Sequence, residues 1–208
     1  MTPLGMRPSA LHEQFGDIDI YVFDQLLRGR IAPGMRVFDA GCGGGRNLVY
    51  LLRQGYEVFG NDANPGAITQ VRALAEELAP GRPLDFRVEA IEDTSFVDAS
   101  FDVVIASAVL HFARDAAHFE SMVRALWRVL KPGGVFFARL ASTIGMEQQI
   151  QAIGHGRYRL PDGSDRYLVD AAMLFEWTER LGGELLDPLK TTVVHDQRSM
   201  TTWVARRR

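Results

Sequence analysis

The 208-residue sequence has a single cysteine, Cys42, which excludes an internal disulfide and any zinc cluster built on several thiolates. Its five histidines include no closely spaced metal-binding pair, so no metal is expected. No stretch approaches the ~20 consecutive apolar residues of a membrane span, which points away from a membrane partner. The segment Met1 to Ala10 carries Arg7 and two prolines but no long apolar core with a small-residue cleavage site, so it does not read as a secretory leader. A cytoplasmic location is the resulting expectation. Lysine is nearly absent: Lys131 and Lys190 stand against 21 arginines. With a net charge of -3 there is no global pull toward nucleic acid, and the basic end Arg206-Arg207-Arg208 reads as a solvated tail.

What is present suits one globular domain, 47% hydrophobic and 24% charged. Short apolar runs alternate with helical patterns from about residue 17 to residue 182, the mark of a doubly wound α/β fold with a mostly parallel sheet. Strands are expected at Arg36 to Asp39, Glu57 to Gly60, Asp85 to Glu89, Phe101 to Ala106 and Val135 to Leu140. Val103, Val104 and Ile105 form a run suited to burial on both faces. Helices are expected over Ile18 to Arg28, Asn47 to Gln54, 65 to 78 and 115 to 130. Asn64-Pro65 supplies a helix start, and Lys131-Pro132-Gly133-Gly134 a stop. Asp170 to Leu181 reads as a further helix, followed by strands Leu185 to His195 and Met200 to Arg206, an antiparallel C-terminal pair. Between residues 142 and 167 lies a Gly-rich stretch with Pro161-Asp162-Gly163 as a turn.

Asp39-Ala40-Gly41-Cys42-Gly43-Gly44-Gly45 follows the first strand, where a doubly wound sheet binds its ligand. Gly41, Gly43 and Gly45 permit close approach to the main chain, and the alternative is a tight turn without a ligand. Dinucleotide enzymes use G-x-G-x-x-G, whereas here Arg46 occupies the place of the last glycine, which argues against NAD. A carboxylate at Asp39 suits a cationic amino group better than a pyrophosphate. Asp62, ending the second strand, stands where an acid binds ribose hydroxyls, or where it serves as a helix N-terminal acid. Cys42 reads as a small packed residue rather than a nucleophile.

The ordered set Asp39 to Gly45, Asp62, Phe101-Asp102-Val103-Val104 and Leu130-Lys131-Pro132-Gly133-Gly134 resembles the motifs of class I S-adenosylmethionine-dependent methyltransferases, over roughly Val37 to Leu140. Gly45-Arg46-Asn47 resembles the small bacterial tellurite-resistance methyltransferases. The resemblance implies a Rossmann-like fold and S-adenosylmethionine as cofactor, leaving as S-adenosylhomocysteine. It further implies that Asp39 and the backbone of Gly41, Cys42, Gly43 and Gly45 take the methionine end, with Arg46 and Asn47 also among the cofactor-binding residues, Asp62 at the ribose and Ala63 at the flank of the adenine. Glu89 or Glu92 would meet the adenine amino group, with Ala90 and Ile91 along the ring, although the family more often has Asp there. Ser107 and Ala108 would lie along the methionine, and His111 becomes a candidate general base, the alternative being a packed cap on the pocket.

The expected organisation is a helical cap over 1–34, a cofactor core over 35–140 and a substrate side over 141–208. Candidate acceptor contacts are Phe15, Tyr21, Arg139, His155, Arg157 and Tyr158. The reading is methyl transfer to a small molecule, by a monomer or homodimer. Its competitors are a protein or nucleic-acid methyltransferase, a dinucleotide-dependent oxidoreductase and a non-catalytic cofactor-binding module.

Overall fold

The computed structural model describes residues 9–208 apart from residue 83; of the segment Met1 to Ala10, read as no secretory leader, residues 1–8 lie outside the described residues. In chain order the elements are α1 (Ala10–Phe15), α2 (Ile20–Leu27), β1 (Arg36–Ala40), α3 (Val49–Arg53), β2 (Glu57–Asp62), α4 (Pro65–Leu78), β3 (Asp85–Val88) and β4 (Phe101–Ser107). After a single 3-10 turn at Leu110–Phe112 come α5 (Ala116–Val129), β5 (Leu130–Ala141), β6 (Gln151–Gly154), β7 (Arg157–Arg159) and β8 (Asp165–Tyr167). The chain closes with α6 (Ala171–Arg180), β9 (Gly183–Leu185), β10 (Lys190–Val194) and β11 (Arg198–Arg207).

The principal sheet runs β3-β2-β1-β4-β5-β11-β10, with β9 also paired to β11. Strands β1 to β5 are mutually parallel, while β11 is antiparallel to β5 and β10, so the fold class is the one expected. Helix starts follow from local chemistry. Asn64 accepts from Gly66 N–H with Pro65 in the first turn, Asp115 accepts from His118 N–H, and Asp170 from Met173 N–H.

Strand alternation sends side chains to two apolar layers. Phe38, Val104, Phe136 and Trp203 pack under α5 and α6 with Phe119, Leu126 and Trp177. Val37, Val103, Ile105 and Phe137 pack on the other face with Leu51, Leu52, Ile68 and Val71. Burial of each such side chain contributes roughly 1.5–3 kcal/mol. Trp203 is fully buried and its indole N–H donates to Thr178 Oγ1 at 2.9 Å, so the large ring carries no unmet donor.

Three local differences from the sequence reading have physical causes. Lys131 to Gly134 do not separate α5 from the fifth strand: β5 begins at Leu130, and pairing jumps from Phe101↔Leu130 to Val103↔Val135. The intervening residues bulge out, held where Lys131 Nζ meets Asp102 Oδ1 at 2.7 Å. The stretch from 142 to 167 holds a separate three-stranded antiparallel sheet, β6-β7-β8, turning through Gly163 N–H to Leu160 C=O at 2.9 Å. Its strands of three or four residues are too short to display a period of two. The expected strand Leu185 to His195 is split into β9 and β10 around Pro188, which has no N–H for a ladder.

The chain leaves β1 toward β2 and β3, and leaves β4 toward β5. Adjacent β1 and β4 therefore diverge at their C-terminal ends and open a crevice there.

Candidate functional site

The floor of that crevice is main chain. Gly41 has φ +63°, and a Cβ there would lie 2.4 Å from Val109 Cγ2, so only glycine fits. Gly43 has φ +54° with open space where a Cβ would be, leaving its backbone bare toward the cavity. The end of β2 holds the loop in place. Asn61 Oδ1 accepts from Gly41 N–H at 3.3 Å and Asn61 C=O from Cys42 N–H at 3.0 Å. Asp62 Oδ2 accepts from Gly43 N–H at 3.0 Å and its Oδ1 from Asn64 N–H at 2.9 Å. The cavity above has a volume of about 880 Å³. Its wall includes residues 41–47, Ser107, Ala108, His111, Phe112 and Arg139, and continues to Leu160, Arg166, Arg198 and Met200.

Behind the loop, Asp39 is buried and its Oδ2 has no hydrogen-bond partner. Burial pushes its pKa up to about 7, against the opposing pull of the Arg46 guanidinium and the Asn47 amide. Asp39 lies behind the cavity wall rather than in it. An orphaned acid beneath bare glycine backbone fits a cofactor that brings a cation there.

Asp19 organises the opposite wall. It caps α2 by accepting from Tyr21 N–H at 2.9 Å, and its carboxylate is fully buried. Oδ2 accepts from Arg139 Nη1 at 3.0 Å and from Ser107 Oγ at 3.1 Å, with Arg46 Nη2 at 3.6 Å. Its own N–H donates to Asn47 Oδ1 at 3.0 Å. One carboxylate thus joins α2, the glycine loop, β4 and β5. The sequence reading missed it because Asp19 falls inside the expected helix Ile18 to Arg28; the signal available was an Asp before the apolar run Ile20 to Val22.

His111 lies in the cavity wall, 7% exposed, with Nδ1 accepting from Ala141 N–H at 3.3 Å. Burial lowers its pKa to about 4, reinforced by Arg166 and Arg198. The ring is therefore neutral near pH 7, and this bond assigns its proton to Nε2.

The remaining candidates divide. Gly41, Cys42, Gly43, Gly45, Arg46, Asn47, Ser107 and Ala108 are together in the cavity wall. Ala108 holds φ +61° there, with its N–H donating to Arg139 C=O at 2.7 Å. Cys42 packs toward Gly60, and burial pushes its thiol pKa up, away from nucleophilic character. Asp62, Ala63, Glu89, Ala90 and Ile91 flank the β2 and β3 ends, outside the wall of this cavity. Asn61 Nδ2 ties Ala90 C=O at 3.3 Å, and Ile91 is buried in the α5-side layer. Both acids are engaged: Glu89 accepts from Ser95 N–H at 3.0 Å, and Glu92 meets His118 Nε2 at 2.7 Å.

Of the acceptor-side candidates, Arg139 lines the cavity and the others do not. Phe15 stacks on Tyr50 at 4.8 Å, and Tyr21 O–H bonds Thr192 Oγ1 at 2.8 Å. Arg157 and Tyr158 belong to β7, and His155 is an exposed turn residue at φ +57°. The structure brings in instead His12, Asp17, Phe112, Asp162, Arg166 and Arg198, which the sequence reading did not single out. Among the described residues no group of three or more His, Cys, Asp or Glu could hold a metal, and no helix is long and apolar enough to cross a membrane.

Comparison with known proteins agrees with this geometry. Residues 38–138 match the family model described as a methyltransferase domain. A ubiquinone biosynthesis O-methyltransferase of Methylobacterium sp. is 39% identical over 105 residues, covering 50% of this chain and 40% of that enzyme. The tRNA 5-carboxymethoxyuridine methyltransferase of Escherichia coli is 26% identical over 182 residues, covering 83% of this chain and 69% of that enzyme. A Burkholderia thailandensis 1,6-didemethyltoxoflavin-N1-methyltransferase, solved with bound 1,6-didemethyltoxoflavin and S-adenosylhomocysteine, superposes with TM-score 0.70 at 17% identity. It covers 95% of this chain and 81% of that one, a likeness of fold. The chain spans 40% to 47% of the length of the curated relatives with which it shares 37% to 39% identity.

Residues 38–138, just under half of the chain, thus match the methyltransferase-domain family, and the chain shares the fold of solved methyltransferases. The cofactor of that family is S-adenosylmethionine.

Proposed function

We propose that the chain is a cytoplasmic, single-domain enzyme, monomer or homodimer, that transfers the methyl group of S-adenosylmethionine to a small-molecule acceptor. The observation that carries this reading is the bare Gly43 backbone opening onto a cavity of about 880 Å³, ample for a nucleoside cofactor beside a small acceptor. When bound, the cofactor supplies an electrophilic methyl group with its own leaving group. What is left to the protein is positioning and exclusion of water.

In this reading the 41–45 backbone, Ser107 and Ala108 hold the amino-acid end, with Asp39 supplying a negative field beneath its ammonium. Asp62 holds the ribose while bracing Gly43. Ala63, Ala90 and Ile91 flank the adenine; Glu89 and Glu92 shape that loop through Ser95 and His118. His111, neutral with its proton on Nε2, is a donor that orients the acceptor, and its low pKa makes it a weak base at neutral pH.

Calorimetric titration with S-adenosylhomocysteine, alongside NADH, tests the cofactor. Micromolar binding of the first alone is expected, and Asp62→Ala should weaken it by about 1–3 kcal/mol through lost charge-assisted bonds. Tighter binding of NADH overturns the reading. A second reading, methylation of RNA, is favoured by the alignment with the tRNA enzyme over 83% of the chain. Transfer of label from S-adenosylmethionine to total tRNA, and not to small phenols and acids, would replace the first reading with the second.

A further inference from the structure

The arginines of the cavity wall fall into two kinds. Arg46 and Arg139 converge on the buried Asp19 carboxylate at 3.6 and 3.0 Å, so their charge is met inside the protein. Arg166 and Arg198, carried by β8 and the start of β11, also line the cavity, yet neither makes an ion pair among the described residues. Arg166 donates to the Asp165 carbonyl at 2.9 Å and lies 4.8 Å over the exposed Phe112 ring. Asp162, the carboxylate on this part of the wall, accepts at Oδ1 from Ser164 N–H at 2.9 Å and Ser164 Oγ at 2.6 Å, bonds that lower its pKa; the charges of Arg166 and Arg198 add to this at longer range, without an ion pair to either. Leu160, Val194 and Met200 supply apolar surface beside them.

We propose that Arg166 and Arg198 form an anion-recognition site at the acceptor end of the cavity, selecting a small acceptor that carries a carboxylate or phosphate on an apolar body. Guanidinium groups not committed to protein carboxylates present forked donors matched to either oxyanion. The Phe112 ring and the Leu160 and Met200 side chains suit the apolar body. The depressed pKa of His111, caused in part by these two cations, agrees with their fields reaching the inner cavity. That the bound anion is the methyl acceptor rests on the methyltransferase reading; the anion site itself does not.

The test is a set of matched titrations, benzoate against benzamide and phenyl phosphate against phenol, on the protein with and without S-adenosylhomocysteine. Each anion should bind at least about tenfold more tightly than its neutral partner, and the stronger of the two anions distinguishes carboxylate from phosphate. Arg166→Gln/Arg198→Gln should abolish that preference with S-adenosylhomocysteine affinity and thermal midpoint unchanged, and Arg166→Lys/Arg198→Lys should restore part of it. Equal binding of the anionic and neutral probes, no binding of either anion, or a preference that survives the double Gln substitution overturns the site. Displacement of both anions by total tRNA assigns the pair to polynucleotide phosphate and overturns the small-acceptor form. Failure of S-adenosylhomocysteine to bind, with anion preference intact, would instead sink the cofactor reading alone.

Discussion

On the β1–β2 side of the crevice the wall is main chain: Gly41 and Gly43 are held by Asn61 and Asp62, and the approach is bare backbone. On the opposite side the wall is side chain. There Arg46, Ser107 and Arg139 gather on Asp19, with Arg166 and Arg198 farther out. A backbone wall tolerates few substitutions, because φ and contact distance are set by the fold. A side-chain wall depends on charges brought from distant parts of the chain, and one altered carboxylate changes several partners. The glycine-loop half is thus fixed by local geometry, and the side-chain half is open to change residue by residue.

The largest effect should come from the side-chain wall. Asp19→Ala leaves Arg139 and Arg46 without their buried counter-charge and should lower unfolding free energy by about 3–5 kcal/mol, measured in urea. A loss below about 1 kcal/mol would show that this wall does not depend on one carboxylate. Next is the backbone wall: Gly41→Ala meets both a positive φ and Val109, and should cost about 2–3 kcal/mol of stability. It should also weaken S-adenosylhomocysteine binding, whereas Asp19→Asn, if folded, should spare the cofactor more than the stability.

Smaller and separable by pH is Asp39. Its folded pKa of about 7 lies above the ordinary 3.8, so the native state holds this proton more tightly than the unfolded chain. That contribution is present below pH 3.8 and is lost as pH rises through about 7. Asp39→Asn should remove this part of the slope, so that the variant's margin over the parent grows by about 2–3 kcal/mol from pH ~5 to pH ~8.5. Parallel pH profiles of the two proteins would place the carboxylate in a better-solvated setting. His111 has the opposite sign: its pKa falls from 6.5 to about 4, so stability present above 6.5 is lost as pH falls through 4. His111→Phe should flatten that acid-side loss in thermal melts, the smallest of these changes.

The comparison also explains what was legible beforehand. The glycine loop, the capped start at Asn64-Pro65 and the parallel run Val103 to Ile105 are signals confined to a few adjacent residues, and they read directly. The 142–167 region did not, since exposed or half-exposed strands of three or four residues carry no alternation. Nor did the meeting of Asp19 with Ser107 and Arg139, separated by 88 and 120 positions. Nor did the side-chain directions of Tyr21 and Phe15, which turn to Thr192 and Tyr50 instead of the cavity.

By itself the sequence determined the doubly wound architecture and the place of the glycine loop after the first strand, because turn chemistry, capping and strand periodicity are local properties. Only the tertiary structure decided which charges face one another across the crevice. Pairing depends on which strand ends the sheet order sets side by side, and on which carboxylate it buries. That is why Arg139 is a partner of Asp19, and why Arg166 and Arg198 are left facing the cavity.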